Sequence, residues 1–379
     1  MPVMADGSFP AIAFNTLTPI SLCSRCLQMG KIKIAIVGVG NCSSALVQST
    51  LYHEKNSSGL IHPIVGGYSP SDIDVVAAID IDSRKVGQDL SRAIFAAPNV
   101  APRFCEVPAL GIIVVKGPVL DGADGVLKDL IKVDPSKEVD VAKLLSRTGC
   151  EIVICLLPTG CTKATEYYAS CAAEAGCAFV NCTPSKIAGM KRWADAFGGK
   201  SLPLVGDDLM SQIGGTVFHM GLLDLLRQRG VKIDKTYQLD IGGSMEAFGV
   251  LEDFRRESKR KVKADAIKQF LPAESEVATG TSDFVEFMKD RRTSYFYVEG
   301  KAALGSDVVI DIYFRTVDSS NGAGALLDIV RGVKVAIDRG VGGPLTSVSA
   351  YGFKSPPVSA PLPESQKWFD EFVSGARMI

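Results

Sequence analysis

The chain carries almost no charge of either sign to spare. Its 379 residues hold 41 Lys and Arg against 42 Asp and Glu, a formal net charge of −1 at pH 7. That balance gives no global pull toward nucleic acid or a membrane surface. No apolar run approaches the ~18 residues that a spanning helix needs. Residues 1–30 lack a basic start and a long apolar stretch, so no secretory signal is read there. They are expected to be a flexible extension, or the product of an upstream start. Cys23-x-x-Cys26 has no second pair and no His beside it, which argues against a zinc site. No internal repeat is present.

What remains is an ordinary soluble composition, 46% hydrophobic and 22% charged. The length suits two or three domains and buries a sizeable core. The ten cysteines lie largely among apolar or small residues, as in Ile-Val-Ile-Cys155-Leu-Leu. Buried free thiols in a reducing cytoplasm are expected.

Lys31 to Gly38 reads as a buried strand rich in β-branched residues, and Ser44 to Leu51 as a helix. Between them lies Gly38-Val-Gly40-Asn41-Cys42-Ser43, the strand–loop–helix context of a dinucleotide fingerprint, with Ser43 at the third Gly. Gly38 permits a tight turn, and Gly40 lets N–H groups at a helix start approach a pyrophosphate. After a polar insertion (Glu54 to Ser71), a second strand ends at Asp80. An acid there accepts from ribose hydroxyls and repels a 2′-phosphate, favouring NAD over NADP. Asp82 is the runner-up. Helices at Val139 to Arg147 and Thr165 to Gly176 alternate with strands at Glu151 to Leu157 and Ala178 to Pro184. Alternation of this kind implies a Rossmann-type, doubly wound parallel sheet. Its carboxyl edge would carry Thr159, Gly160, Asn181 and Thr183 beside Gly38.

The central stretch is Val205-Gly-Asp207-Asp208-Leu-Met210-Ser211-Gln-Ile-Gly-Gly215. An apolar strand end is followed by paired carboxylates, a Ser and a Gly pair. Thr216 to Arg229 is an amphipathic helix carrying His219, read as a core or interface group. Lys235 to Ile241 alternates as a strand, and Gly242 to Glu246 reads as a loop. Then six cations fall in nine residues, Arg255 to Lys263. Arg255, Lys259 and Lys263 are spaced by four and share a helix face. Such a face is either solvated or nucleic-acid-binding, or it lines a phosphate pocket that also stabilises an oxyanion. Crowding of like charges is expected to lower these lysines' pKa values. Ser294 to Val298 and Asp307 to Phe314 read as strands. Asp318 to Gly324 reads as a polar loop before a helix, and Tyr351 to Pro357 as a Pro-stiffened loop holding Lys354. A short helix at Gln366 to Ala376 closes the chain. The expected architecture is a nucleotide domain (31–208 plus 325–379) with an inserted α+β catalytic and oligomerisation domain (209–324).

From Lys31 to about Pro357 the chain resembles the myo-inositol-1-phosphate synthase family, in its prokaryotic form. The motifs run in order: Ile-Val-Gly-Val-Gly-Asn41-Cys42, Ala-Ala-Ile-Asp80, Gly206-Asp-Asp208, Thr236-Tyr-Gln-Leu, Glu257-Ser-Lys259-x-x-x-Lys263, Val317-Asp-Ser319, Asp338-Arg-Gly-Val-Gly-Gly-Pro and Ser349-Ala-Tyr-x-x-Lys354-Ser-Pro-Pro357. The resemblance implies tightly held NAD, oxidation of glucose 6-phosphate at C5, aldol closure between C6 and C1, and return of the hydride. It implies catalytic roles for Lys259, Lys263, Lys354 and Asp208. Cofactor contacts are expected from Gly38, Gly40, Asn41, Cys42, Asp80, Thr159, Gly160, Asn181, Asp207 and Asp318, and substrate contacts from Ser211, Ser244, Glu246 and Arg292. A homotetramer is implied too. The partner is a small sugar phosphate, with neither nucleic acid nor membrane.

The departures from the family pattern are expected on the substrate side. Met210 stands where the family has Lys, Met220 where it has Arg, Ser244, Glu246 and Gly249 where it has Asn, Asp and Asn, and Arg292 where it has Lys. These leave two enzymes open, the inositol phosphate synthase and a sister cyclase using another sugar phosphate such as a ketose phosphate. A catalytically silent NAD-binding protein is the third reading. Asp207, Asp208 and Asp318 could support a cation near the cofactor phosphates, though no ligand spacing is diagnostic.

Overall fold

Three isoleucines in six residues begin the fold. β1 (Ile32–Val37) is buried except at Lys33, as strands covered on both faces are. The chain then turns at Gly38, whose φ of +91° is left-handed and whose missing Cβ would sit 2.9 Å from the Leu156 carbonyl oxygen. Ser43 donates its hydroxyl to the Gly38 carbonyl and so ties the turn to the helix that follows. In this computed structural model residues 30–379 are described, and the expected extension with Cys23 and Cys26 lies outside them. Lys31–Ile379 forms one compact unit.

The first half runs α1 (Asn41–Tyr52), β2 (Ile73–Asp80), α2 (Leu90–Ala93), β3 (Val115–Lys116), α3 (Val141–Thr148), β4 (Ile152–Cys155), α4 (Thr162–Ala175), β5 (Ala178–Asn181), α5 (Lys191–Gly198) and β6 (Pro203–Val205). The second runs α6 (Gly215–Gln228), β7 (Lys232–Gly242), α7 (Met245–Gly249), α8 (Asp253–Lys268), β8 (Glu276–Phe284), β9 (Arg291–Lys301), β10 (Asp307–Val317), α9 (Asp318–Asp338), β11 (Gly343–Pro344), α10 (Thr346–Gly352) and α11 (Leu362–Ser374). Seven parallel strands form one sheet in the order β11-β6-β5-β4-β1-β2-β3. Chain order reverses at β1, between β2 and β4, and such a switch point opens a crevice for ligands at the strand ends. One apolar layer joins Ile34, Ile36 and Leu46 to Leu326, Ile329 and Val333 of α9. The other packs Val153 and Phe179 against Leu145, Ala169 and Phe197.

The second sheet has the order β10-β9-β7-β8. Only β7 and β8 pair in parallel. α6 and α8 cover one face. The other leaves Leu239, Val309 and Tyr313 exposed. α9 follows β10 without a break and so joins the two sheets.

Several local expectations change in the structure. Asp318 to Gly324 is the first two turns of α9, not a loop. Its glycines serve close packing: a Cβ on Gly324 would sit 2.1 Å from Gln212 Oε1. Gly242 to Glu246 ends in a short helix, with Ser244 accepting from the Ala247 N–H. Tyr351 and Gly352 close α10, so only the residues from Phe353 onward leave the helix. Met210 and Met220, expected on the substrate side, lie in one apolar cluster with Leu223, Ile233, Ile267 and Val298. A lysine or arginine at either place would face this core, so the two methionines fill a core rather than edit a substrate pocket.

Asp207, at the end of β6, is also a framework residue. Its carboxylate accepts from Asn181 Nδ2 (2.7 Å) and from the N–H groups of Ile187 (2.9 Å) and Ala188 (3.0 Å). Burial outweighs these bonds and pushes the carboxyl up from 3.8 to about 6. The folded chain therefore binds this proton more tightly than the unfolded chain. The group's stabilisation is complete below the unfolded value and is lost as pH rises through about 6. Melting temperatures measured from about pH 8 down to about pH 5 should rise by a component that Asp207→Asn removes. An unchanged slope in the variant would refute this role.

Candidate active site

The carboxyl ends of β1, β2 and β4 open onto a cavity of about 300 Å³ that continues to α6, α8 and the start of α9. At one end is the glycine turn. α1 has Gly40 as its N-cap with no side-chain cap, and nothing lies within 4 Å of where a Gly40 Cβ would be. Open space before uncapped N–H groups fits a pyrophosphate. Asp80 ends β2, and its Oδ2 accepts the Val39 N–H at 2.8 Å. Asn41 lines the cavity, but its Oδ1 is occupied by the N–H groups of Val100 (2.8 Å) and Ala101 (3.1 Å). Cys42 lines it as a thiol, because burial pushes its pKa up to about 12.

The centre is built around Asp208. The residue has φ +61°, left-handed for a non-glycine and costly by roughly 1–2 kcal/mol. Neighbouring backbone holds it there. Its N–H donates to Thr183 O at 2.8 Å, and its carbonyl accepts from Lys354 N at 2.8 Å. Asp208 Oδ1 meets two ammoniums, Lys354 Nζ at 2.9 Å and Lys259 Nζ at 3.4 Å. Oδ2 is buried and has no partner among the described residues. A buried carboxylate oxygen without a partner is uncommon in a folded chain, and Asp208 is one of the residues that line the cavity. Burial alone would raise this carboxyl, but the Lys259 and Lys354 charges outweigh it and hold it below the ordinary value.

The two lysines diverge. Lys259 also reaches Glu246 Oε1 at 3.1 Å. Burial disfavours its charge, yet Asp208 and Glu246 together raise its pKa above the usual lysine value. Lys354 has one carboxylate and the Leu209 carbonyl (2.7 Å). Its burial, together with the neighbouring Lys259 charge, lowers its pKa despite Asp208. The expected lowering across the cluster therefore holds for Lys354 and fails for Lys259, which has two anions beside it. Titratable neighbours pushed in opposite directions mark acid–base sites.

Glu246 bridges the two halves of the cavity. Thr159 Oγ1 donates to its Oε1 at 2.6 Å. Although burial opposes ionisation, Lys259 and Thr159 hold its pKa down to about 2. At the far end α6 begins at Gly215 with Gly214 as an uncapped N-cap. Around it stand Lys263, paired with Asp240, and Arg292, paired with Asp318 at 2.7 Å. Asp240 is held down to about 2 by Lys263 and Arg292 against the effect of burial. His219 is fully buried, with Nε2 2.7 Å from Thr236 Oγ1, and burial drops its pKa to about 4. It is a neutral core group.

Of the expected residues, Gly38, Gly40, Asn41, Cys42, Asp80, Thr159, Asp208, Ser211, Ser244, Glu246, Lys259, Lys263, Arg292, Asp318 and Lys354 line this one cavity. Gly160, Asn181 and Asp207 do not. A Cβ on Gly160 would sit 2.7 Å from Arg255 Nη1, so this glycine makes room for a buried arginine. Asn181 and Asp207 satisfy each other. Arg255 itself is clamped by Asp124 (2.8 Å), Glu252 (2.8 Å) and the Thr159 carbonyl. Lys85, Gln238 and Asp290, which also line the cavity, were not anticipated, nor was Asp240, which does not line it but pairs with Lys263. A carboxylate at an inward position of a strand, as at Asp240 beside exposed Leu239, is the signal that could have found one of them. Among the described residues no group of three or more His, Cys, Asp or Glu could hold a metal ion.

Comparison with known proteins agrees with this geometry. The family model described as myo-inositol-1-phosphate synthase matches residues 214–319. Inositol-3-phosphate synthase of Mycolicibacterium smegmatis is 40% identical over 358 residues, covering 91% of this chain and 99% of that protein. The Corynebacterium glutamicum inositol-3-phosphate synthase is 38% identical over 360 residues, covering 92% and 99%. The crystal structure of Ari2 superposes with a TM-score of 0.74 at 32% identity, covering 91% of this chain and 99% of that one.

The opposed lysine shifts are open to direct measurement. When acylation is followed by mass spectrometry across alkaline pH, Lys354 should become reactive well before Lys259. Glu246→Gln should bring the two curves closer, since it takes an anion from Lys259 and leaves Asp208 beside Lys354. Matching curves in the wild type would contradict the assignment.

Proposed function

Since this chain belongs to the myo-inositol-1-phosphate synthase family, we propose that it closes glucose 6-phosphate into myo-inositol 1-phosphate without net redox. The observation that carries this is Asp208, one buried carboxylate at the cavity wall shared by two lysines with opposed pKa shifts. NAD, when bound, supplies the acceptor for the hydride and gives it back at the end. Gly38, Gly40 and the start of α1 would hold its pyrophosphate.

The chain's own groups divide the remaining work. The uncapped start of α6 seats the substrate phosphate, with Lys263 and Arg292 adding charge. That end fixes the sugar so that its C5 hydroxyl lies beside the Asp208–Lys354 pair. Lys354, whose burial makes its proton easier to lose, exchanges protons with the substrate at C5 and then at C6, where the ketone has made hydrogens acidic. Lys259, kept charged, stabilises the oxygens that become negative during enolisation and aldol closure. Glu246 and Thr159 hold Lys259 in place. The seclusion of these groups keeps water from the intermediates.

The division into a cofactor part (31–208 plus 325–379) and an inserted part (209–324) belongs to the same proposal, as does a cytoplasmic location. No described helix is long and apolar enough to cross a membrane. We assign the uncovered face of the four-stranded sheet, with Leu239, Val309 and Tyr313 outermost, to contact with further copies in a homotetramer.

Incubation of purified protein with NAD and glucose 6-phosphate, followed by phosphorus NMR, should yield an inositol phosphate with no accumulation of NADH. If a ketose phosphate is turned over and glucose 6-phosphate is not, the substrate is wrong and the sister-cyclase reading replaces it. Asp208→Asn should lower kcat by about 10²–10⁴-fold while NAD affinity changes little. Wild-type turnover in that variant would remove Asp208 from the chemistry.

A further inference from the structure

The cavity's adenosine end holds a buried lysine that the mechanism above does not use. Lys85 is 5% exposed and lines the cavity beside Asp80. Its only oxygen partner among the described residues is Asp80 Oδ2, at 3.5 Å. A lysine ammonium carries three donors, and burying one so lightly partnered is costly unless a ligand completes it.

Asp80 is in the opposite condition. Its Oδ1 accepts the N–H groups of Ile81 (2.7 Å) and Asp82 (2.9 Å). Its Oδ2 accepts the Val39 N–H (2.8 Å) and faces Lys85. A carboxylate offers about four lone-pair sites, and four donors already surround this one. It ties the glycine turn to the end of β2 and has little left for a ribose hydroxyl.

We propose that Lys85 is the residue that donates directly to the adenosine ribose hydroxyls of the cofactor, while Asp80 is a positioning residue that holds Lys85 and the glycine turn. The inference rests on the NAD reading above. The turn that carries Lys85 is built to aim it. Lys85 N and Val86 N both donate to Asp82 O at 2.9 Å, and Ser83 N donates to Lys132 O at 2.7 Å. Asp82, the alternative ribose ligand in the sequence, is spent here. Its carboxylate takes the backbone N–H of Arg84 (2.9 Å) and the Arg84 guanidinium, which also reaches Leu130 O at 2.6 Å. With Lys85 beside it, Asp80 does not present a bare negative charge, so rejection of a 2′-phosphate does not rest on simple repulsion.

Calorimetric titration of the full chain, freed of cofactor, tests this with NAD and its 2′- and 3′-deoxyadenosyl analogues. Lys85→Met should weaken NAD binding by about ten- to a hundredfold, the worth of a charged hydrogen bond. The same substitution should cost much less with whichever analogue lacks the hydroxyl that Lys85 contacts. Lys85→Gln, which keeps a neutral donor, should fall between, and circular dichroism and melting confirm that both variants fold. NAD affinity within about twofold of wild type in Lys85→Met would overturn the proposal. So would an equal loss for NAD and both analogues, because Lys85 would then act only through Asp80 and the glycine turn. Failure of the wild-type chain to bind NAD at all would instead overturn the functional reading, and this inference with it.

Discussion

One carboxylate oxygen, Asp208 Oδ1, lies between Lys354 at 2.9 Å and Lys259 at 3.4 Å, and the site depends on that sharing. The three residues come from different parts of the chain. Asp208 follows the last strand of the first half, Lys354 follows α10, and Lys259 lies on a helix of the second sheet. Each charge would be expensive if buried alone. Together they are affordable, and the unequal number of anions around each lysine separates their proton affinities. The left-handed backbone at Asp208 fits this requirement. Strain of that kind persists where the surroundings over-determine it, here through backbone pairing with Thr183 and Lys354.

The same logic recurs in the framework. Arg331 and Asp328 are both fully buried and paired at 2.5 Å, and Arg331 also donates to the carbonyls of His62, Pro63, Tyr68 and Leu327. This cluster fixes the polar insertion after α1 against α9. Lys263 with Asp240, and Arg255 with Glu252 and Asp124, do the equivalent for α8. Buried ion pairs contribute little net stability against apolar replacements. Their effect here is placement: both arginines use several donors on backbone carbonyls or carboxylates, which fixes where a helix sits.

The substrate side shows how a local substitution can mislead. Met210 lies two residues from Asp208, and on its own it reads as an edited substrate contact. Its side chain turns the other way, into a cluster with Met220 on α6 and Ile267 on α8. Glu246, three residues from the end of the loop that departs from the family pattern, does face the cavity and ties Lys259 to Thr159. Proximity in sequence to a catalytic residue therefore says little about which face a side chain takes. The backbone turn between Asp208 and Met210 decides it.

The alternation of apolar strands and helices, the glycine turn and the four-residue spacing of Arg255, Lys259 and Lys263 are local patterns. They were enough to place the parallel sheet, the strand ends on which the cavity opens and a cationic helix face, because backbone periodicity is set by neighbouring residues. The start of α9 within a Gly- and Ser-rich stretch was not legible, since that helix is held by packing of Gly322 and Gly324 against Cys42 and Gln212 rather than by propensity. Nor was the division of labour among like residues. Asp80 looks like a free ribose ligand until the Val39 N–H and Lys85 are seen to fill it. Asn181 and Asp207 look like cavity residues until they are found bonded to each other. Lys259 and Lys354 look alike until the Glu246 carboxylate is placed beside only one of them. Residue type and spacing determined which chemistry the chain could gather. Tertiary contacts between distant residues decided which of those groups were left with open valences toward a ligand, because hydrogen-bond saturation and pKa depend on what stands within a few ångströms in space.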